Sequence, residues 1–375
     1  MNKECMGIIN LNKKGDNLKE LSDSRVVASI PIGGRYRIID FTLSNMVNGG
    51  MKNIGIFSDQ KYRSLTDHLG NGSHWDLSAK NDGLFVFSPE NTKEQMYRQI
   101  KKGDIYNIFS NIDYIEKSKQ EYVLIAPSNM ICNMDYKKVL SYHKASKNNI
   151  TIIYKSVNNA NEDFLGTSML NIKEGNQISG MGINLGREKQ ANISMDMYIM
   201  RKRLLIDMLY EAVSNGEYTH IEDCINESIG NLQVGSYEYN GYLKCINSTS
   251  TYFQANKDLL DVDIANELFY ADRKIFTKEK NEPPTLYTET SNVKNSFVAT
   301  GCVIEGDVKD SIIFRKVHIK KGAVIKNSII MQSGKVEENV ILDNVILDKN
   351  TVISEGKELK GDVKLPLVVE KNVSI

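Results

Sequence analysis

Aliphatic side chains recur at a spacing of six residues in the C-terminal part of this sequence. The spacing holds within three groups, which are Val298 and Ile304, then Ile319 and Ile325, then Ile341, Leu347, Ile353, Leu359 and Leu365. A hexapeptide period is typical of a left-handed parallel β-helix, whose short faces bury their aliphatic residues only when successive coils stack. An antiparallel meander is the alternative, but it would not keep a six-residue phase over five turns. We predict a left-handed β-helix over residues 291–375.

The first 277 residues instead alternate short apolar runs with stretches of helical spacing. The runs predict strands at Met6–Ile9, Ile54–Phe57, Leu84–Phe87, Tyr122–Ala126 and Ile150–Tyr154. Helices are predicted from Phe41 onward, over Tyr62–Leu69 and over Ile105–Ile115. This alternation favours an α/β domain around a mostly parallel sheet. Ligands bind such sheets outside the carboxyl ends of the strands, so we expect the chemistry in the loops after Ile9 and Ala126.

A charged and proline-containing segment separates these two patterns. Lys278–Pro284 holds two of the six prolines of the chain beside a cluster of charges, which indicates an interdomain linker. We therefore divide the chain into an α/β domain at residues 1–277, a linker at 278–290 and the β-helix at 291–375.

The composition excludes several classes of protein. Forty-seven Lys and Arg balance 47 Asp and Glu, so no global field attracts nucleic acid or a membrane. The five cysteines are scattered and have no CxxC spacing, which predicts a reduced, cytoplasmic protein without a zinc site. No apolar run approaches the ~18 residues that a membrane-spanning helix needs.

The most specific motif is the string Pro31–Asn45, PIGGRYRIIDFTLSN. Its two glycines allow a turn that a Cβ would obstruct, and Arg35 and Arg37 alternate just after them. The string resembles the GG-[KR]-[FY]-R-I-I-D-F-x-L-S-N signature of bacterial glucose-1-phosphate adenylyltransferases, the ADP-glucose pyrophosphorylases. The resemblance continues through Asn48–Gly50 and Gly70–Leu77 and then more weakly to the C-terminus. It implies a Rossmann-like nucleotidyltransferase domain, followed by a β-helix, in an enzyme of glycogen biosynthesis.

The family's phosphate-binding loop, G-G-x-G-x-R-L, is degenerate in this chain. It aligns with Asn12–Leu18, where only Gly15 remains of three glycines and Asn17 replaces the arginine. Asn12 and Lys13 replace glycines whose positive φ and close backbone approach suit phosphate binding. Lys13 and Lys14 are candidates to replace the lost cation, and an ordinary charged surface is the alternative.

Four further motifs of the family have also changed. The lysine of A-K-P-A corresponds to Val27, and R-G-T-A-D-A corresponds to the bulkier Lys102–Asn107. The two Mg²⁺-binding aspartates, of G-D-H and W-R-D-V-G-T, correspond to Asn129 and Cys245. An amide and a soft thiol make a poor Mg²⁺ site, so we predict no metal in this chain.

The sugar-phosphate motif E-K-P has two possible positions. Alignment from Ile178 puts it on Ile183–Asn184, whereas Glu188–Lys189 is the nearby Glu-Lys pair. Downstream, Ser194–Ile199 reads S-M-D-M-Y-I and resembles the family's S-M-G-I-Y-V.

The basic residues near the opening motif are retained. Arg25, Arg35 and Arg37 lie near the region where the family binds anionic allosteric effectors, and we predict an effector site there. Solvated surface charge or salt bridges between subunits are the alternative explanations.

The resemblance as a whole implies a regulatory, catalytically inactive subunit of glucose-1-phosphate adenylyltransferase. We expect it to have no cofactor of its own and to join a catalytic paralogue that holds Mg²⁺, as a heterotetramer with a small anionic effector. One alternative is an active nucleotidyltransferase with a remodelled site that uses Asp104, Asp135 or Glu188. A more remote alternative is a hexapeptide acyltransferase with His318 as its general base.

Overall fold

The computed structural model describes residues 4–11, 18–58, 62–79, 82–88, 103–216 and 218–375. The chain forms two compact units. The first contains Met1–Gly15, Phe41–Cys245 and Arg273–Phe276, and the second contains Asp16–Asp40, Ile246–Asp272 and Thr277–Ile375. The contacts thus group two segments from the predicted first domain with the C-terminal repeats. The predicted linker, 278–290, contains a strand of the β-helix, Leu286–Tyr287.

The secondary structure before the β-helix is mixed. The strands are β1 (Cys5–Asn10), β2 (Pro31–Ile32), β3 (Tyr36–Arg37), β4 (Ile54–Phe57), β5 (Leu84–Phe87), β6 (Tyr122–Pro127), β7 (Met130–Ile131), β8 (Ile150–Val157), β9 (Ser168–Ile172), β10 (Ile178–Ile183), β11 (Ala191–Arg201), β12 (Val234–Glu238) and β13 (Lys244–Cys245). The α-helices are α1 (Ile38–Asn48), α2 (Arg63–Leu69), α3 (Asp104–Phe109), α4 (Ile112–Lys117), α5 (Tyr136–Ser146), α6 (Lys202–Asn215), α7 (Ile221–Ser228), α8 (Thr249–Asp258) and α9 (Val262–Ala265). None of the helices in the described ranges is long and apolar enough to cross a membrane.

The first unit is built on one mixed sheet. Strands β1, β4, β5 and β6 form its parallel part, with β1 between β4 and β6. Strand β11 runs antiparallel to both β6 and β8, and β12 pairs with β8 in parallel. The predicted strands are therefore confirmed, and so is the mostly parallel α/β sheet.

The predicted helix over Ile105–Ile115 is two helices, α3 and α4, with a break at Ser110 and Asn111. Ser110 Oγ donates to the carbonyl of Tyr106 at 2.8 Å, and Asn111 Nδ2 donates to that of Asn107 at 3.1 Å. Side chains that bond to nearby carbonyls in this way compete with the helical ladder. The apolar spacing alone did not reveal the break.

The second unit contains the predicted parallel β-helix. Its fifteen strands form three five-stranded sheets, one for each face of the coil. They are β14 (Leu286–Tyr287), β15 (Asn292–Lys294), β16 (Phe297–Val298), β17 (Val303–Ile304), β18 (Asp307–Lys309), β19 (Ile312–Ile313), β20 (His318–Ile319), β21 (Val324–Lys326), β22 (Ile329–Ile330), β23 (Lys335–Val336), β24 (Ile341–Asp343), β25 (Val345–Leu347), β26 (Val352–Ile353), β27 (Glu358–Lys360) and β28 (Leu367–Val369).

The six-residue phase does not continue unbroken through the coils. Val324 pairs with Ile341, and Ile341 with Glu358, so these coils advance by 17 residues (341 − 324 and 358 − 341) rather than three full hexapeptides. The core residue of β24 is therefore Leu342, which is fully buried, whereas Ile341 is 39% exposed. Leu365 lies 70% exposed. The sequence interpretation of these two residues as inward-facing positions was wrong.

The opening motif forms a β-hairpin within the second unit. Gly33 and Gly34 have φ of 59° and 78° between the antiparallel strands β2 and β3. Gly33 N donates to Asn256 Oδ1 at 3.0 Å, and a Cβ at Gly33 would lie 2.9 Å from a methyl group of Leu259. The left-handed backbone at both positions favours glycine.

Candidate functional site

A cavity of about 400 Å³ lies in the first unit at the carboxyl ends of β1 and β6. Asn10, Ala126 and Pro127 line it. These residues end the two strands after which the sequence placed the chemistry, and they lie together because neighbouring parallel strands end at the same edge of the sheet.

Acidic side chains dominate the polar lining of this cavity. Asp104, Asp196, Glu222 and Asp223 all contribute, together with His220. The described lining contains no lysine and no arginine. Of the four carboxylates, only Asp104 was proposed from the sequence as a functional residue. Asp196 appeared there only as part of the S-M-D-M-Y-I string, and Glu222 and Asp223 lie outside the family motifs.

Asp104 joins helices α3 and α7 at the edge of the cavity. It accepts hydrogen bonds from Asn10 Nδ2 at 2.7 Å and from the backbone N of Ile221 at 3.0 Å, and it lies 3.5 Å from His220 Nδ1. A Cβ at Gly103 would lie 2.1 Å from the carbonyl oxygen of Thr219. Glycine at that position therefore permits the close approach that places Asp104 at the start of α7.

Asp196 enters the cavity from a bulge in β11. The register of β11 against β8 shifts between Ser194 and Met197, and Asp196 has a φ of 52°. The family's S-M-G-I-Y-V motif has glycine here, which adopts such a φ without strain. The carboxylate is 7% exposed, and Tyr198 Oη donates to it at 3.4 Å. A β-bulge commonly redirects a side chain in this way.

The two positions aligned with the family's metal-binding aspartates are neighbours in space. Strand β7 pairs with β13, so that Met130 lies opposite Cys245, and Asn129 Nδ2 is 3.7 Å from Cys245 Sγ. Both side chains are at least 95% buried. An amide N–H directed at a thiol offers a cation a donor rather than a hard anionic ligand, so these two residues do not fit Mg²⁺. Among the described residues, no group of three or more His, Cys, Asp and Glu has the arrangement of a metal site.

Other positions of the family motifs are dispersed or lie outside the described residues. Val27 is buried in a 3₁₀ turn, Val27–Ser29. Asn184 Nδ2 donates to the carbonyls of Ala160 and Phe164 at 2.7 and 2.8 Å, so it ties two loops together. The predicted loop residues Asn12, Lys13, Lys14, Gly15 and Asn17, together with Lys102, lie outside the described residues.

The residues of the two alternative mechanisms do not converge. Asp135 caps helix α5 through the backbone N–H groups of Lys137 and Lys138, and Glu188 is exposed. Of Asp104, Asp135 and Glu188, only Asp104 lines the cavity. His318 lies on the surface of the β-helix with its Nε2 3.1 Å from Glu305.

The predicted effector arginines belong to a basic cluster in the second unit. Arg25 is only 3% exposed, and its guanidinium contacts Asp348 at 2.6 Å and the carbonyl of Leu21 at 3.0 Å. Arg35 is exposed and lies over the ring of Tyr36 at 5.5 Å.

Lys349 is the most perturbed member of the basic cluster. Burial, followed by the charges of Arg37 and Arg25, lowers the pKa of its ammonium group to about 7. Burial also lowers the pKa values of Arg315 and Lys280, with Arg35 contributing at Arg315 and Arg37 at Lys280. The nearby acids Asp348 and Glu282 act in the opposite direction. The arrangement thus concentrates positive charge in a partly desolvated place.

Comparison with known proteins places these features in a family. Residues 13–182 match the family described as Nucleotidyl transferase, and residues 284–365 match "GlmU-like, C-terminal hexapeptide". The chain is 36% identical to the glycogen biosynthesis protein GlgD of Bacillus subtilis over 372 residues, which is 99% of this chain and 97% of the relative. It is 33% identical to the glucose-1-phosphate adenylyltransferase of Mycoplasma mobile over 86% of this chain and 84% of the relative. The corresponding enzyme of Geobacillus stearothermophilus is 31% identical with the same coverage. The chain therefore belongs to the nucleotidyltransferase family that contains the GlgD glycogen biosynthesis proteins and the glucose-1-phosphate adenylyltransferases.

Proposed function

We propose that this chain is a regulatory, catalytically inactive subunit of a glucose-1-phosphate adenylyltransferase in glycogen biosynthesis. The catalytic paralogue converts ATP and glucose 1-phosphate to ADP-glucose and pyrophosphate, holds the Mg²⁺ and joins this chain in a cytoplasmic heterotetramer. The observation that carries the proposal is the contact between Asn129 and Cys245, where the family motifs have two aspartates.

The charge of the cavity also supports an inactive subunit. Phosphate groups at this edge of the sheet would meet Asp104, Asp196, Glu222 and Asp223, with no lysine or arginine in the described lining. Nucleotidyl transfer needs cations or N–H donors against the phosphates, so carboxylates there oppose both binding and the transition state. In one alignment Asn184 takes the position of the sugar-phosphate lysine of the family. Its side chain instead donates hydrogen bonds to the carbonyls of Ala160 and Phe164.

The basic cluster is the proposed effector site, with a different division of roles from the sequence prediction. Arg25 is neutralised by Asp348, so its role in the proposal is to hold the site together. Arg37 and Lys349, with Arg35 at the exposed edge, are then the groups that contact a small anion. Charge-assisted hydrogen bonds from such groups are roughly twice as strong as neutral ones.

Assembly is tested by co-expression of this chain with the catalytic paralogue from the same genome. With an affinity tag only on this chain, we expect the paralogue to be retained and its activity or effector response to differ from that of the paralogue alone. Arg37→Ala should alter the effector response without preventing assembly, and a typical coupling is ~1–3 kcal/mol. The exposed Lys364→Ala is the matched control. Loss of the paralogue on purification, or unchanged kinetics at a saturating ratio, would refute the regulatory role.

Anion binding at the basic cluster should depend on pH through Lys349. Its lowered pKa means that it is largely neutral at about pH 8 and charged at about pH 6, and a bound anion favours the charged form. With sulfate as the probe, which stays a dianion throughout, we expect affinity to fall about 10-fold from pH 6 to pH 8. Titration calorimetry in two buffers of different ionisation enthalpy should show proton uptake on binding.

Two variants separate the contribution of Lys349 from that of its neighbours. Lys349→Arg should keep sulfate binding and lose its pH dependence, whereas Lys349→Met should weaken binding at every pH. An unchanged pH profile in Lys349→Arg would assign the titration to another group.

A further inference from the structure

Three exposed aliphatic side chains lie on two neighbouring segments that contribute Gly166 and Ile183 to the lining of the acidic cavity. Leu165 is 48% exposed, Ile183 66% and Leu185 71%. The segments that carry them are bonded side by side, since Gly166 N donates to the carbonyl of Asn184 at 2.9 Å and Asn184 N donates to that of Thr167 at 2.8 Å. Ile183 itself lines the cavity. We call Leu165, Ile183 and Leu185 the apolar collar.

The collar lies beside a cavity of opposite chemistry. Asp196, Glu222 and Asp223 line this cavity, and Ser168 Oγ donates to Glu222. Asp196 is held in the left-handed region of the backbone, so the chain carries this carboxylate at a cost in strain. A cavity of this size with apolar residues beside it and a few polar groups in its lining is typical of a binding pocket.

We propose that the collar and cavity together form a docking socket for a partner protein chain, which inserts an arginine or lysine flanked by aliphatic residues. Charge complementarity selects the occupant, because a cationic head enters a lining of carboxylates that has no described lysine or arginine. The collar selects a polypeptide over a small cation, because a solvated ion or amine would leave three aliphatic side chains in water. A charged anchor in a pocket with apolar contacts around it is the usual form of a binding hot spot.

The socket does not depend on the proposed effector site, nor does it require the partner to be the catalytic paralogue. Its residues are all in the first unit, whereas the basic cluster lies in the second. A test on this chain alone therefore separates failure of the socket from failure of the regulatory role.

The test uses the full chain and two synthetic peptides, acetyl-Leu-Arg-Leu-amide and the same peptide with citrulline in place of arginine. Citrulline keeps the shape and removes the charge. We expect the arginine peptide to bind at least about 10-fold more tightly than the citrulline peptide, with a preference that weakens in high salt. Methyl NMR should place both peptides at Ile183 and Leu185.

Substitutions separate the two parts of the socket. Glu222→Gln with Asp223→Asn should lower arginine-peptide affinity about 10-fold and leave citrulline-peptide affinity unchanged. Leu185→Ser should lower the affinity of both peptides, which a purely electrostatic site would not show. The control is Glu174→Gln, an exposed carboxylate outside the cavity lining. A wild-type fold in each variant is checked by its methyl spectrum away from the socket.

Three results would overturn the proposal. The first is equal affinity for the two peptides, or no shift at Ile183 and Leu185 at about 10 mM of the arginine peptide. The second is argininamide binding as tightly as the peptide, which would indicate a small-cation site. The third is glucose 1-phosphate displacing the peptide at lower concentration than the peptide itself requires, which would indicate a retained sugar-phosphate site.

Discussion

The purified chain is expected to convert ATP and glucose 1-phosphate at least about 10³-fold more slowly than a catalytic relative. The two positions that align with metal-binding aspartates hold a buried amide and a buried thiol in contact with each other. Without a divalent ion to gather the phosphate oxygens, several kcal/mol of transition-state stabilisation should be lost. Mg²⁺-dependent release of pyrophosphate measures this directly.

The control for this prediction is the double variant Asn129→Asp with Cys245→Asp. It should bind Mg²⁺ more readily than it regains activity, because the carboxylates of the cavity remain and misplaced phosphates alone cost ~10²-fold in rate. Contaminant-free wild-type protein that turned over at about 1 s⁻¹ would contradict our assignment of the subunit as inactive. Full recovery in the double variant would instead show that the metal ligands were the only deficit.

Arg25→Ala is expected to lower the stability of the second unit by about 3–5 kcal/mol. The guanidinium and its partner Asp348 are both almost completely buried at a separation of 2.6 Å. Removing one member of such a pair leaves the other charge without compensation in a poorly solvated place, which is the costly case. Hydrogen exchange of the amides of β25 (Val345–Leu347), next to Asp348, measures the loss.

Arg35→Ala is the matched control, because Arg35 is exposed and its change should stay within about 0.5 kcal/mol. If Arg25→Ala and Arg35→Ala had equal and small effects on exchange, the buried pair would not stabilise this unit. If Arg25→Ala abolished effector response without lowering stability, Arg25 would be an effector ligand after all, as the sequence alone predicted.

The sequence by itself determined the class of both folded units and the family. Short apolar runs identified five strands of the sheet, because a buried parallel strand must be apolar over its whole length. The diglycine of the opening motif identified the turn, because left-handed φ values favour glycine strongly enough to be visible without a structure. Motif positions also identified Asn129 and Cys245 as a changed pair, which the structure brings into contact.

Only the tertiary structure decided which of these residues act together. The coil length of 17 residues shifted Ile341 outward, because corner geometry, not strand spacing, sets the length of a coil. Arg25 was predicted to be available to an effector, but its guanidinium pairs with Asp348. The sequence did not reveal this pair because the two residues lie 323 positions apart. The cavity lining takes Asp196 from the bulge in β11 and takes Glu222 and Asp223 from helix α7. These elements come together only through the packing of the whole unit. Long-range pairing of charges leaves no periodic pattern along the chain, and so the acidity of the cavity became visible only in three dimensions.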